Sequence, residues 1–386
     1  MSALSSPDND EIIFIADIGT TTIKASLVSS GATGSDRNSG ALLASLSEKN
    51  AQSVFGLDVI SRVLYAHHNG VEPLQKKVLS QVHDMLKALC VSADVQPESV
   101  SRSIITGNTI MLHLVRGLSV SGFEMAPFTP VSLGEAEEVL FGLPAYFPPC
   151  IDAFLGADAV CAALYAISAP EARFPLLLAD VGTNTEIMLF TSSAFEEGGA
   201  GTYDKLSLTC CSTAAGPAFE GGVSGGRYTG SELVHMLAEL LKAGTMDETG
   251  LLLEDADSSS ASESGFLLAQ NDIRQLQLAK GAVSAAVDTL LQEAGLSVGD
   301  VGSFVLCGNF GSALNTEEAE RIGLFPEGLS SVARYAGNAA ELGARLLVSD
   351  GMKVLAKKIA ASGKLIQLAD SRFFARRYIE RMNFGS

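Results

Sequence analysis

Tryptophan is absent from this 386-residue chain, and cysteine is sparse, with 6 residues. Cys90, Cys150, Cys161, Cys210, Cys211 and Cys307 form no Cys-x-x-Cys pair. No zinc or iron–sulfur framework is therefore visible, and the thiols read as small buried hydrophobes. Positive charge is also scarce: 26 Lys and Arg stand against 44 Asp and Glu, a net charge of −18. Such a surface argues against wrapping nucleic acid or lying on an anionic membrane. Apolar runs are short, and none approaches the roughly 20 residues of a membrane span. Residues 1–11 are polar and acidic, without a basic-then-apolar leader. The expectation is a cytoplasmic protein with no nucleic-acid and no membrane partner. The chain is nevertheless 47% hydrophobic, enough for two domains with substantial cores.

What stands out is a repeated unit. Leu176-Leu-Leu-Ala179 leads into Asp180-Val-Gly-Thr-Asn-Thr-Glu-Ile187 and a second apolar run to Phe190. Earlier, Ile12-Ile-Phe-Ile-Ala16 leads into Asp17-Ile-Gly-Thr-Thr-Thr22 and Ile23-Lys-Ala-Ser-Leu27. Each reads as a strand, a tight glycine turn and an antiparallel strand. Gly19 and Gly182 allow close backbone approach to a ligand. Thr20, Thr21, Thr22, Thr183, Asn184 and Thr185 add donors. Asp17 and Asp180 end their strands where a carboxylate can hold a cation or its water. A Mg-bound polyphosphate asks for this combination.

The remaining pattern alternates strands and helices. A third strand is expected from Ala41, then a helix after Asp58 with Val59, Ile60, Val63 and Leu64 on one face. Residues 71–89 read as an amphipathic helix. Ser103-Ile-Ile-Thr106 reads as a strand ending in Gly107-Asn-Thr109, an anion-accepting turn before a helix. His113 inside that helix reads better as an interior histidine than a catalytic one. Residues 125–149 carry five prolines, Pro127, Pro130, Pro144, Pro148 and Pro149, and are expected to be an extended connection without continuous regular structure. Gly156 opens a helix with Asp158 in its first turn, a helix-start carboxylate or a cleft acid that orders Mg-bound water. Residues 212–222 are rich in small residues, including Gly216, with Glu220 as a cleft acid or a cap. An acidic loop is expected at 254–265 and a long helix at 271–294. The strand Ser303-Phe-Val-Leu306 runs into a third glycine turn, Cys307-Gly-Asn-Phe-Gly311. The tail, with Arg372, Arg376, Arg377 and Arg381, reads as a docked surface helix.

The order of these units resembles the actin-like ATPase fold. More narrowly, Asn50-x-Gln52, Gly56-x-Asp58-Val-Ile-Ser-Arg62, Gly107-Asn-Thr-Ile-Met111 and Ala126-Pro-Phe-x-Pro130 resemble the middle domain of reductive activators of corrinoid proteins. Cys211-Ser-Thr-Ala-Ala-Gly-Pro-Ala-Phe-Glu-Gly221, Asp272-Ile-Arg274, Leu278-Ala-Lys-Gly281, Cys307-Gly-Asn-Phe-Gly311 and Gly323-Leu-Phe-Pro326 resemble its C-terminal ATPase domain. The resemblance implies an α/β chain of two ribonuclease H-like domains with a nucleotide cleft between them. The polar residues 1–11 read as a disordered lead, and the resemblance implies a first domain at 12–150 and a second at 151–386. It implies Mg-ATP, with Asp17 and Asp180 serving the metal. The phosphates fall to Gly19, Thr20, Thr21, Thr22, Gly182, Thr183, Asn184, Thr185 and Gly216. Gly308, Asn309 and Gly311 approach the adenosine, and Glu220 and Asp158 position water. The implied activity returns a Co(II) corrinoid on a partner protein to Co(I) in an ATP-driven step. A homodimer is expected. Better-known members carry their own iron–sulfur cluster; this chain starts at the hairpin without cluster spacing, so a separate ferredoxin-like donor is expected. The segments at 222–227 and 254–265 are atypical. Two other readings of the fold stand beside this one: a kinase for sugars or carboxylic acids, and a nucleotide-sensing scaffold.

Overall fold

The computed structural model describes residues 11–30, 40–182, 184–191, 206–213, 218–219, 223, 227–253, 268–308, 310 and 314–385. Of the positions singled out above, Thr183, Gly216, Glu220, Asn309 and Gly311 lie outside these. So do the lead before Glu11, the acidic loop and most of the segment 212–227.

The apolar run after Glu11 forms β1 (Ile12–Ile18), which the first glycine turn folds back into β2 (Thr22–Ser29) and then β3 (Ala41–Lys49). Two helices follow, α1 (Val59–Asn69) and α2 (Glu72–Ser92). The expected face of α2 is buried at Leu74, Val78, Val82, Met85, Leu86 and Leu89. The face of α1 differs from expectation. Val59, Arg62, Val63 and Ala66 are buried, whereas Ile60 and Leu64 are exposed. The helix is rotated by about one position, because the inward set repeats at i, i+3, i+4 and i+7 and one of its members is an arginine.

β4 (Val100–Gly107) and α3 (Thr109–Arg116) fall where the sequence places them. His113 is the interior residue expected. Its Nδ1 lies 2.7 Å from the Thr109 carbonyl, and its Nε2 accepts from Ser132 N at 3.3 Å. Burial holds its pKa below the usual imidazole value. The proline-rich stretch corrects the expectation. It contains a hairpin, β5 (Ala136–Leu140) and β6 (Leu143–Phe147), that joins the sheet. The prolines permit this because only Pro144 lies within a strand. It sits ahead of the β4–β6 ladder, which pairs Ser103 with Ala145 and Ile104 with Tyr146, so its missing N–H costs no bond there.

α4 (Ala157–Ser168) precedes the second hairpin, β7 (Leu176–Val181) and β8 (Thr185–Phe190), followed by β9 (Leu208–Thr213) and α5 (Gly230–Lys242). The long α6 (Gln270–Glu293) buries Ile273, Leu276, Ala279, Val283, Val287 and Leu290. Then come β10 (Ser303–Gly308), α7 (Thr316–Arg321), β11 (Ala333–Tyr335), α8 (Ala339–Leu346), α9 (Asp350–Ser362), β12 (Gly363–Leu365) and α10 (Arg372–Glu380). The tail docks as expected: Arg377 Nε and Arg381 Nε donate to Asp288 of α6 at 2.7 and 2.8 Å. Among the described residues no helix is long and apolar enough to cross a membrane.

The chain divides into two compact units, Met1–Tyr165 with Ala340–Ala361, and Ala166–Ala339 with Ser362–Ser386. Each holds a six-stranded sheet, in the orders β3-β2-β1-β4-β6-β5 and β11-β10-β7-β8-β9-β12. The wiring repeats. In each, a meander of three antiparallel strands has its first strand paired in parallel with a later strand, β1 with β4 and β7 with β10. Each unit also has its own apolar core, one around Phe14, Leu74 and Met111, the other around Leu177, Leu237 and Phe304. This is the mixed α/β, actin-like architecture expected.

Candidate functional site

In both units the parallel pair ends in the same register. Ile18 lies opposite Gly107, and Val181 lies opposite Gly308. Both glycines have positive φ, 150° and 123°. A side chain on Gly107 would meet Ile18 O at 2.7 Å, and one on Gly308 would meet Val181 O at 2.1 Å. Only glycine lets the strand end press this closely against the hairpin carbonyl. Each hairpin turn is therefore braced by the strand beside it.

The first turn, Gly19 to Thr22, is half-buried except for exposed Thr21 and buried Thr20. Three side chains of the same unit hold it. Asn50 Nδ2 donates to Gly19 O at 2.8 Å, Arg62 Nη2 donates to Thr20 O at 2.7 Å, and Asn108 Nδ2 donates to Thr20 Oγ1 at 3.0 Å. Asn108 also caps α3 by accepting from Met111 N at 2.9 Å.

Arg62 reaches the turn because α1 is started firmly. Asp58 and Ser61 form a capping box, worth about 1 kcal/mol in general. Gly56 lets the chain pass close to Ser61, since a Cβ there would lie 2.4 Å from Ser61 Oγ. Arg62 Nε then donates to Gly56 O at 3.0 Å and Nη1 to Met111 Sδ at 3.2 Å.

The neighbourhood of this turn gathers two carboxylates. Asp17, half-buried, lies at the end of β1 beside Thr106 of β4. Asp158 stands in the first turn of α4. Both raise the pKa of the Cys161 thiol, after burial, which acts most strongly. The Cys161 Sγ lies 3.5 Å from Thr106 Oγ1. Gly156 packs where a Cβ would fall 2.4 Å from Asn108 Cα and 2.7 Å from Asp158 Oδ1. Asp17, Thr20, Asn108 and Asp158 thus share one end of the first sheet.

The second turn is one residue shorter. Val181 pairs with Thr185, where Ile18 pairs with Ile23. Asp180 lies opposite Glu186, whereas Asp17 lies opposite Lys24. Directly opposed residues share a face, so the second hairpin presents two carboxylates. Both bear on the neighbouring Cys307 thiol, whose pKa burial pushes well above the usual value. Thr185 is buried, and its hydroxyl oxygen has no hydrogen-bond partner among the described residues. Glu186 was missed by sequence reasoning, although strand alternation places it on the Asp180 face.

The third glycine turn is braced by an aromatic. Tyr335 donates to Gly308 O at 2.9 Å, and Gly308 N donates to Gly337 O at 3.1 Å. Burial pushes the Tyr335 phenol up, which keeps it a donor. All six cysteines are buried and unbridged. Burial pushes Cys150 up to about 12 and raises Cys161 and Cys211 as well, so these are neutral thiols. Among the described residues no group of three or more His, Cys, Asp and Glu could hold a metal ion.

The donor set fits Mg-ATP. Magnesium keeps several waters and is held by one or two carboxylates together with phosphate oxygens, and each hairpin supplies one or two. A buried hydroxyl without a partner among the described residues, such as that of Thr185, can be satisfied by a polar ligand.

The family description "RACo middle region" matches residues 14–167, and "C-terminal domain of RACo the ASKHA domain" matches residues 224–386. The corrinoid activation enzyme RamQ of Eubacterium limosum is 27% identical, with 96% of this chain and 70% of RamQ covered. The Co(II) methylated amine-specific corrinoid protein reductase of Methanosarcina barkeri is 22% identical, with 85% and 70% covered. The solved structure of a reductive activator for corrinoid, iron-sulfur protein superposes with a TM-score of 0.82 at 26% identity, covering 98% of this chain and 67% of that one. With both of its regions matched and the fold shared along nearly its whole length, the chain belongs to the RACo family of reductive activators of corrinoid proteins, on the actin-like ASKHA fold.

Proposed function

We propose that this enzyme is an ATP-dependent reductive activator of a corrinoid protein. One electron from a separate, reduced iron–sulfur donor converts Co(II) to Co(I) on the partner, and ATP is hydrolysed by water to ADP and phosphate to drive the step. The carrying observation is the pair of Asp-x-Gly-Thr hairpins, each braced in the same register by a glycine-ended strand, in a chain matched along 96% of its length to a corrinoid activation enzyme. The resemblance adds a homodimer to this reading.

Bound Mg-ATP supplies a hydrolysable phosphoanhydride. The chain's own part is positioning and electrostatics. Asp17 and Asp180 would hold the metal or its waters. Gly19, Thr20, Thr21 and Thr22, with Gly182, Thr183, Asn184, Thr185 and Gly216, present amides and hydroxyls to phosphate oxygens. Gly308, Asn309 and Gly311 allow the adenosine to approach. Asp158 and Glu220 orient water. Coupling requires that the nucleotide bind two conformations of the enzyme unequally, so that the partner's cobalt environment changes with nucleotide state.

The test mixes the protein, Mg-ATP, a low-potential ferredoxin and a Co(II) corrinoid protein, and follows the cobalt by its visible spectrum. Co(I) bands that grow only with ATP are expected. No ATP-dependent Co(I) with any cognate corrinoid protein, alongside ATP turnover on sugars or carboxylic acids, overturns the reading in favour of a kinase.

A further inference from the structure

Arg62 is fully buried, yet it makes no ion pair among the described residues; it donates to Gly56 O, Thr20 O and Met111 Sδ. Burial lowers its pKa to about 10, with Asp58 opposing, so it stays charged at neutral pH. A buried charge without a paired carboxylate is costly to a fold, and an apolar residue fills such a position at less cost. What this arginine holds is therefore informative.

Three consecutive carbonyls of the first turn are anchored: Gly19 O by Asn50 Nδ2 at 2.8 Å, Thr20 O by Arg62 Nη2 at 2.7 Å, and Thr21 O by Asn50 N at 2.8 Å. In a planar trans peptide the carbonyl and the following N–H point opposite ways. Anchoring these oxygens therefore sets the directions of the Thr20, Thr21 and Thr22 amides, each away from its anchor. Successive oriented amides make an anion-binding concavity. The guanidinium adds a fixed positive charge directly behind it.

We infer that Arg62 and Asn50 are positioning residues that hold the first turn ready for an anionic phosphate, Asn50 by geometry and Arg62 by both geometry and charge. This rests on the nucleotide reading above. It assigns a function to two residues, Asn50 and Arg62, whose motifs otherwise mark only family resemblance. It also explains why an arginine occupies the buried face of α1.

The experiment uses the full chain and the variants Arg62→Met, Arg62→Lys and Asn50→Asp. The last keeps the acceptor for Gln52 N, now 2.9 Å away, and loses the donor to Gly19 O. Two quantities are measured: hydrogen exchange of the Thr20, Thr21 and Thr22 amides without ligand, and the Kd for Mg-ATP over a salt series. In Arg62→Met, losing a hydrogen bond from a charged donor is expected to speed turn exchange and to weaken Mg-ATP binding by about tenfold or more. The salt dependence of its Kd should also be shallower than in the wild type. Arg62→Lys keeps the charge but loses the planar fork; it should exchange fast while recovering part of the affinity at low salt. A folded Arg62→Met protein with turn exchange and Kd within about twofold of wild type, below the size of one lost hydrogen bond, overturns the inference. If Arg62→Met does not fold, Asn50→Asp decides by the same two readouts. Wild-type protein that binds no Mg-ATP overturns the nucleotide reading and the phosphate role with it, while ligand-free exchange still judges the anchoring.

Discussion

The two hairpins share a sequence pattern and a register, but they are built for different work. The first is longer by one residue, sets Asp17 against Lys24, and is anchored by Asn50, Arg62 and Asn108. The second sets Asp180 against Glu186 and leaves the Thr185 hydroxyl buried without a partner among the described residues. The first thus holds its turn with side-chain donors and a buried arginine. The second presents two opposed carboxylates on one face. The two units repeat one wiring and differ in what lies across each strand.

The largest expected effect tests that division. Removing a metal carboxylate should lower ATP turnover by about 10²-fold or more, and Asp180→Ala should cost more than Asp17→Ala, because a lysine stands opposite Asp17 and a second carboxylate opposite Asp180. Asp180→Ala should also need far more Mg for half-maximal activity, and chelation should abolish turnover in the wild type. Equal losses and unchanged Mg dependence would erase the distinction between the hairpins.

A second comparison concerns the bracing glycines. Alanine at Gly308 meets a carbonyl at 2.1 Å, and at Gly107 at 2.7 Å, both with positive φ. Each substitution should destabilise by about 2–4 kcal/mol, combining strain of a special φ with steric overlap, and Gly308→Ala should be the worse of the two. Chemical denaturation of both variants checks the order; a milder Gly308→Ala would mean that the second unit yields more easily than its packing implies.

The smallest expected effect separates the units by pH. His113 in the first unit has a lowered pKa, so its stability contribution is present above the unfolded value near 6.5 and is lost as pH falls below that. Lys280 in the second has its pKa lowered from 10.5 to about 7 by burial, then by Arg381. The unfolded chain binds that proton more readily, so stability rises as pH climbs from about 7 towards 10.5. His113→Gln should flatten the acid side of the profile, and Lys280→Met the alkaline side. Lys280 also donates to Asn383 O and lies 5.3 Å from the Phe384 ring centroid, so its replacement should loosen the C-terminal segment in hydrogen exchange.

Much of this was readable from residues. The two hairpins, the interior His113, the faces of α2 and α6 and the docked arginine tail follow from strong local signals: glycine turns after apolar runs, and helical periodicity. The failures have physical causes. Prolines argued against strands in residues 125–149, yet four of the five avoid strands altogether, and a β-hairpin formed between them. The face of α1 was misread because its apolar residues fit two adjacent phases, and the buried phase contains Arg62. A charged residue at a core phase is weak evidence alone; the carbonyl it serves lies 42 positions away in sequence. Asn50 and Asn108 were visible as motif residues, but motif spacing does not reveal which turn they hold.

The most direct measurement is the affinity of the wild type, Asp17→Asn and Asp180→Asn for Mg-ATP, by calorimetry on proteins whose fold is checked by circular dichroism. The expected result is saturable wild-type binding that weakens in both variants, more at Asp180. A wild type that does not bind Mg-ATP, or variants that bind as tightly as it does, would contradict the assignment of both hairpins.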